Sequence, residues 1–133
     1  MNTTNPLGGI HAALDRGVNL IDTAPIYGAA EALLGRALEG RRDQVVLATK
    51  VLPQTADGGA LQGEALARHM RESLDSSLHL LRTDHVDLWQ IHQVDDALLA
   101  QADTVAEAFA AAKRAGKARC VGSSTYGVDP PLK

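Results

Sequence analysis

Four side chains of types that can run carbonyl chemistry stand at, or just after, the ends of short apolar segments: Asp22, Tyr27, Lys50 and His92. Reducing a carbonyl with hydride leaves an alkoxide, which needs a proton donor within hydrogen-bonding reach. A free phenol releases its proton only near pH ~10, so Tyr27 needs the ammonium of Lys50 to stabilise the phenolate, and Asp22 would keep that ammonium in place. His92 could donate a ring N–H to the carbonyl oxygen and orient it for attack. The hydride must come from a cofactor, because no side chain supplies one.

Each of these residues also has a plain structural explanation. Asp22 could form an Asx-turn out of its strand, and Tyr27 could be a packed loop aromatic with its hydroxyl bonded. Lys50 could be a solvated charge at a strand end, and His92 could be a satisfied core histidine. Their common placement at the ends of predicted strands favours a shared site.

The segments that position these residues alternate between strand and helix patterns. Apolar runs predict strands at 18–22, 45–50, 86–92 and 118–122. Helical spacing of apolar residues predicts helices near 10–17, 31–38, 66–81 and 104–116. Thr104 and Glu107 have the spacing of a capping box that opens the last of these helices. Such alternation is typical of right-handed βαβ units on a parallel sheet.

In β/α barrels the chemistry lies at the carboxyl ends of the strands. Residues two apart in a strand share a face, so Asp22, Lys50 and His92 meet if that face is turned to the barrel axis. We therefore predict an α/β fold, a partial (β/α)₈ barrel of about four parallel strands with helices on the outer face, in one domain over residues 1–133. Asp22 and Lys50 should lie within salt-bridge range, with the hydroxyl of Tyr27 nearby.

Length and composition restrict the class of protein. The chain has 133 residues, whereas a complete barrel of this type usually needs about 250. A formal net charge of −3 with mixed signs argues against a nucleic-acid surface. The single cysteine, Cys120, fits a reducing compartment. No segment approaches the ~18 apolar residues of a membrane span, and the first residues lack a signal-peptide pattern. We expect a cytoplasmic protein without nucleic-acid or membrane partners.

Successive segments of the chain resemble the signature motifs of the aldo-keto reductase superfamily: GVNLIDTAPIYG followed by EALLGRAL, then VVLATKV, LRTDHVDLWQIH and GKARCVGSSTYG. The resemblance covers nearly the whole chain from about residue 10. It implies a (β/α)₈ barrel and NADPH as cofactor, with NADH possible. It also implies a small aldehyde or ketone as substrate, and a catalytic tetrad of Asp22, Tyr27, Lys50 and His92.

The resemblance further implies a contact with the nicotinamide carboxamide. The family usually has Ser-Asn at this point, where Ser124 matches the serine and Thr125 stands at the asparagine position. A threonine offers one hydroxyl, whereas an amide offers both a donor and an acceptor. The chain contains no Gly-rich dinucleotide fingerprint or P-loop, because its glycine pairs lack the required spacing.

Other interpretations remain open at this point. Relative to the family, the chain should lack the first strand, the last three strands and the loops that bind the cofactor phosphates. It could therefore be an inactive fragment or a subunit of a split barrel. It could also be a Schiff-base aldolase in which Lys50 attacks as an amine. An open sheet keeps unpaired edges and an apolar inner face, so the isolated chain is expected to self-associate.

Overall fold

The secondary structure follows the predicted alternation of strand and helix. The protein is described by a computed structural model that covers residues 7–54, 59, 61–92 and 96–124. Its elements are, in chain order, α1 (Gly8–Asp15), β1 (Leu20–Asp22), α2 (Ala30–Ala37), β2 (Val46–Val51), α3 (Gly63–Leu81), β3 (Val86–His92), α4 (Asp96–Leu99), α5 (Ala102–Arg114) and β4 (Ala118–Ser124), with a 3₁₀ turn at Arg42–Gln44. Within these ranges, no helix combines the length and the apolar character needed to cross a bilayer.

The strands form one parallel sheet in the order β1-β2-β3-β4. Lys50 of β2 lies opposite Gln90 of β3, and His92 lies opposite Ser124 of β4. The carboxyl ends of neighbouring strands consequently meet at one edge of the sheet. This arrangement confirms the predicted α/β fold with four parallel strands.

The helices pack on one face of the sheet and bury the main core there. α3 contributes the predicted apolar stripe, formed by Leu66, Met70, Leu74, Leu78 and Leu81. Alternate strand residues complete this core, among them Leu47, Val51, Trp89 and Ile91. The ring of Trp89 meets Phe109 of α5 edge-on, with centroids 5.3 Å apart. Odd-numbered positions of β2 and β3 therefore face the helices.

Near β1, the opposite face of the sheet is left open by the described residues. Leu20 and Val46, which lie opposite each other in the sheet, share that face, and their exposed fractions are 61% and 49%. Even-numbered positions such as Lys50 and His92 lie on the same face. The helices thus cover the outer face, as predicted, and part of the apolar inner face remains exposed.

The first strand is shorter than the predicted 18–22, because Val18 still belongs to the turn that ends α1. Gly17, with φ +97°, is in the left-handed region, and the N–H of Val18 donates to the carbonyl of Ala13 at 3.1 Å. This backward bond is typical of a glycine-terminated helix. The strand begins only at Leu20.

The capping box predicted at Thr104 and Glu107 is wrong. α5 begins at Ala102, and no side chain caps the preceding Gln101. The N–H of Gln101 instead donates to the carbonyl of Leu98 at 2.8 Å, so the chain turns directly from α4 into α5. No sequence pattern predicts α4, because its 4 residues are too few to show a period.

Gly35 of α2 lies where α2 contacts α3. A Cβ added there would overlap the backbone carbonyl oxygen of Leu80 and would lie 3.0 Å from the Cα of Leu81. Backbone atoms yield less easily than a side chain, so we expect Gly35→Ala to lower the free energy of unfolding by about 2–3 kcal/mol. Gly9→Ala in α1 is the matched control, because nothing lies within 4 Å of its added Cβ. If urea denaturation shows that both variants lose the same free energy of unfolding, this interpretation is wrong.

A charged network ties the start of β3 to the segment before β2. The carboxylate of Asp87 accepts hydrogen bonds from the backbone N–H of Leu47 at 2.8 Å and from the guanidinium of Arg42 at 3.1 Å. Arg42 also donates to the backbone carbonyl of His85 at 3.0 Å. Burial alone would raise the pKa of Asp87, but the Leu47 N–H and the Arg42 charge outweigh it and keep that pKa below its ordinary value.

This network should make the fold sensitive to acid. A carboxylate whose pKa is lowered by folding contributes stability in full above its unfolded-state pKa, near 3.8, and loses that contribution as the pH falls through the lower folded-state value. We expect the free energy of unfolding to decrease below about pH 4, and Asp87→Asn to make that decrease shallower. Urea denaturation at a series of acidic pH values gives the free energy of unfolding of the parent chain and of Asp87→Asn. If this free energy falls equally steeply with decreasing pH in both proteins, Asp87 does not have this role.

Candidate active site

Three of the four candidate residues lie at the carboxyl ends of neighbouring strands. Asp22 is the last residue of β1, His92 is the last of β3, and Lys50 is the last but one of β2. Their parity puts them on the inner face, opposite the helices. We call the region formed by these three residues and Tyr27 the mouth.

Lys50 and Asp22 form an ion pair between β2 and β1. Nζ of Lys50 lies 2.8 Å from Oδ1 of Asp22 and also donates to the backbone carbonyl of Thr23 at 3.1 Å. The lysine side chain is 5% exposed, and that of Asp22 is 56% exposed. A buried ammonium needs such partners because leaving water is costly. The predicted salt bridge is therefore confirmed, whereas the catalytic role of the pair stays a prediction.

Tyr27 lies on the loop that joins β1 to α2. Its N–H donates to the carbonyl of Ala24 at 3.1 Å, and its carbonyl accepts the N–H of Ala30 at 3.2 Å. Gly28 follows with φ +64°, a left-handed turn that favours glycine. The ring centroid lies 5.6 Å from Nζ of Lys50, within cation–π range. Because the side chain is half exposed, the phenol stands beside a buried charge and remains accessible from outside.

His92 is buried at the end of β3. It shares the inner face with Gln90, the partner of Lys50 in the sheet. On its other side it lies opposite Ser124, the last residue of β4. Thr125, the second predicted contact of the cofactor, lies outside the described residues.

Sequence reasoning did not identify two buried polar residues behind the mouth. Glu31, in the first turn of α2, and Thr49, in β2, are both buried, and the Thr49 hydroxyl donates to Oε2 of Glu31 at 2.6 Å. One sequence signal could have found them. Thr49 alternates with Leu47 and Val51 on the apolar outer face of β2, and a polar side chain on such a face requires a partner.

Comparisons with known proteins identify the relatives of this chain. Residues 2–130 match the model of the aldo/keto reductase family. The aldo-keto reductase YhdN of Bacillus subtilis is 39% identical over 124 residues, which cover 90% of this chain and 37% of YhdN. A 6-dehydroglucose reductase of Novosphingobium aromaticivorans is 40% identical over 133 residues, covering 90% of this chain and 41% of that enzyme.

Solved structures agree with these sequence relationships. An aldo-keto reductase from Klebsiella pneumoniae in complex with NADPH superposes with a TM-score of 0.79 at 33% identity, covering 97% of this chain and 42% of that one. The holo form of an aldo-keto reductase from Bacillus halodurans also gives a TM-score of 0.79, at 30% identity, covering 94% of this chain and 42% of that one. The chain therefore spans about two-fifths of the length of the relatives it matches.

Proposed function

Because the chain belongs to the aldo/keto reductase family, we propose that it forms the proton-transfer centre of an NAD(P)H-dependent reductase of small aldehydes or ketones. The observation that supports this proposal is the buried ammonium of Lys50, bound to Asp22 at 2.8 Å and lying 5.6 Å from the ring centroid of Tyr27. A fixed positive charge beside an accessible phenol is the arrangement that makes a tyrosine a usable proton donor.

The proposed roles follow from the positions of the side chains. The Tyr27 hydroxyl donates its proton to the carbonyl oxygen as that oxygen gains negative charge, and the Lys50 ammonium stabilises the phenolate that remains. Asp22 keeps the ammonium in place. A ring N–H of His92 donates to the same carbonyl oxygen and orients the substrate. The hydride to the carbonyl carbon would be supplied by a nicotinamide cofactor held at this edge of the sheet, and the product would be an alcohol.

The carboxyl edge of the sheet suits the nicotinamide end of such a cofactor, because the strand register sets Ser124 opposite His92. We assign the carboxamide contact to Ser124 and Thr125. NADPH is favoured over NADH, since one Klebsiella pneumoniae structure is a complex with NADPH and another is a complex with NADP and acetate. The substrate class is supported by the relative named 6-dehydroglucose reductase, whose name specifies reduction of a carbonyl sugar.

A Schiff-base aldolase is less consistent with the mouth. An amine must be uncharged to attack a carbonyl, whereas a carboxylate 2.8 Å from Nζ stabilises the ammonium of Lys50. Imine trapping provides the test. After borohydride reduction in the presence of a carbonyl compound, mass spectrometry should show Lys50 unmodified. A stable adduct at Lys50 would instead support the aldolase.

A chimera tests the proposed function. Residues 2–130 of this chain replace the matching segment of the Klebsiella pneumoniae reductase that binds NADPH, so that the mouth comes from this chain and the remaining barrel from the host. We expect NADPH oxidation that depends on an added aldehyde or ketone. The chain alone is assayed in parallel. Activity in the chimera but not in the chain alone would show that the centre is functional and needs the remaining barrel. A folded chimera that binds NADPH but reduces no carbonyl in a broad panel would overturn the proposal.

We also propose that the chain self-associates through the open part of its inner face. Leu20 and Val46 are paired neighbours that form an exposed apolar patch there, and β1 and β4 are the edge strands of the described sheet. Unpaired strand edges and apolar patches favour association. We expect sedimentation to show concentration-dependent oligomers that Leu20→Glu weakens, whereas Leu80→Glu on an exposed helix position should not. A monomer at every concentration, or equal effects of both variants, would contradict this expectation.

A further inference from the structure

A buried carboxyl group lies directly behind the mouth and takes no part in the proposed proton transfer. Glu31 is only 2% exposed. Taking a carboxyl group out of water is costly unless other partners replace the lost hydrogen bonds. The fully buried hydroxyl of Thr49 is such a partner, at 2.6 Å from Oε2, a short distance for an O–H···O bond. The bond is therefore a defined link between α2 and β2.

The two ends of this link flank residues of the mouth. Thr49 immediately precedes Lys50, and their side chains point to opposite faces of β2. Glu31 follows Tyr27 by 4 residues, and the N–H of Ala30 donates to the carbonyl of Tyr27 at 3.2 Å, joining the loop to the first turn of α2. A shift of that turn relative to β2 would therefore change the distance between Tyr27 and Lys50.

Packing does little to fix the Tyr27 ring, because half of the side chain is exposed. The Lys50 ammonium fixes β1 to β2 through Asp22 and bonds the carbonyl of Thr23, the first residue of the loop, but neither of these bonds extends to Tyr27. The geometry points to Glu31 as a positioning residue, which sets Tyr27 relative to Lys50 through its bond to Thr49. This inference rests on the proposed function for its catalytic meaning, since a misplaced donor transfers its proton poorly.

NMR on the 133-residue chain tests this inference without relying on turnover. With Tyr126→Phe as background, Tyr27 is the only tyrosine, and an NOE between its ring and the ε-methylene of Lys50 reports their proximity. Thr49→Val keeps the side-chain shape but removes the hydroxyl, so the cross-peak should be lost. Thr49→Ser keeps the hydroxyl and should retain the cross-peak. A folded Thr49→Val chain with an unchanged cross-peak would overturn the inference. Absence of the cross-peak from the parent chain would also overturn it.

A matched control and a second pair of variants complete the test. Thr83→Val removes a hydroxyl that bonds Arg42 and His85, away from the mouth, and should leave the cross-peak intact. If Thr49→Val does not fold, Glu31→Gln and Glu31→Asp replace it. Gln keeps the reach and an acceptor and should retain the cross-peak, whereas Asp is shorter and should lose it. Equal cross-peak intensities in Glu31→Gln and Glu31→Asp would refute the positioning role. If the parent chain shows the cross-peak but the chimera is inactive, only the proposed function is refuted.

Discussion

Replacing Tyr27 by phenylalanine in the chimera is expected to lower kcat at least about a hundredfold and to leave NADPH affinity almost unchanged. The substitution removes the hydroxyl that donates the proton, whereas the ring keeps its position 5.6 Å from Nζ of Lys50. Because the side chain is half exposed, the change removes little buried contact and should not affect folding. Steady-state NADPH oxidation gives kcat, and fluorescence titration gives the affinity for NADPH.

Tyr126→Phe is the matched control for this prediction. The other tyrosine of the chain undergoes the same substitution, and we assign it no role in proton transfer. Its kcat should stay near that of the parent chimera. If both variants turn over as fast as the parent, Tyr27 is not the proton donor and the proposed mechanism is wrong.

Lys50→Met is expected to reduce kcat by a similar factor of about a hundred, because it removes the charge that stabilises the phenolate. Methionine retains most of the length and volume of the buried stem, so the core around β2 should tolerate it. Asp22 loses its partner but is 56% exposed and can be solvated. Kinetics and thermal unfolding of the chimera measure the two effects separately.

Lys117→Met provides the control for Lys50→Met. Lys117 forms an ion pair with Asp75 at 2.7 Å, and the two side chains are 37% and 51% exposed. The same substitution therefore removes a salt bridge of similar length that lies far from the mouth in the fold. We expect kcat to be unaffected by Lys117→Met, and a comparable loss in both variants would show that the effect at Lys50 is not specific to the site.

The sequence predicted the parts of the fold that depend on periodicity over many residues. The helix through Leu66 and Leu81 and the strand Val86–His92 are present as expected, because a long apolar stripe or a bounded apolar run leaves few alternatives. Parity then predicted the ion pair of Asp22 and Lys50, since strand ends of a parallel sheet meet at one edge.

Other features depend on contacts that a local pattern does not show. The bond between Thr49 and Glu31 joins residues 18 positions apart on a strand and a helix, and only their packing brings them together. The capping-box pattern misplaces the start of α5, because the turn after α4, with the bond from the N–H of Gln101 to the carbonyl of Leu98, determines where the helix begins. Element boundaries are governed by such tertiary contacts more than by the cap residue alone.

If Tyr27 of this chain supplies the proton for carbonyl reduction, the stoichiometry of the products should show it. In a single turnover of the chimera with NADPH and an aldehyde, we predict that alcohol forms in equal amount to the NADPH oxidised, and that the Tyr27→Phe chimera forms almost none in the same time. Oxidation of NADPH without formation of alcohol, or equal amounts of alcohol from both proteins, would show that Tyr27 is not the proton donor.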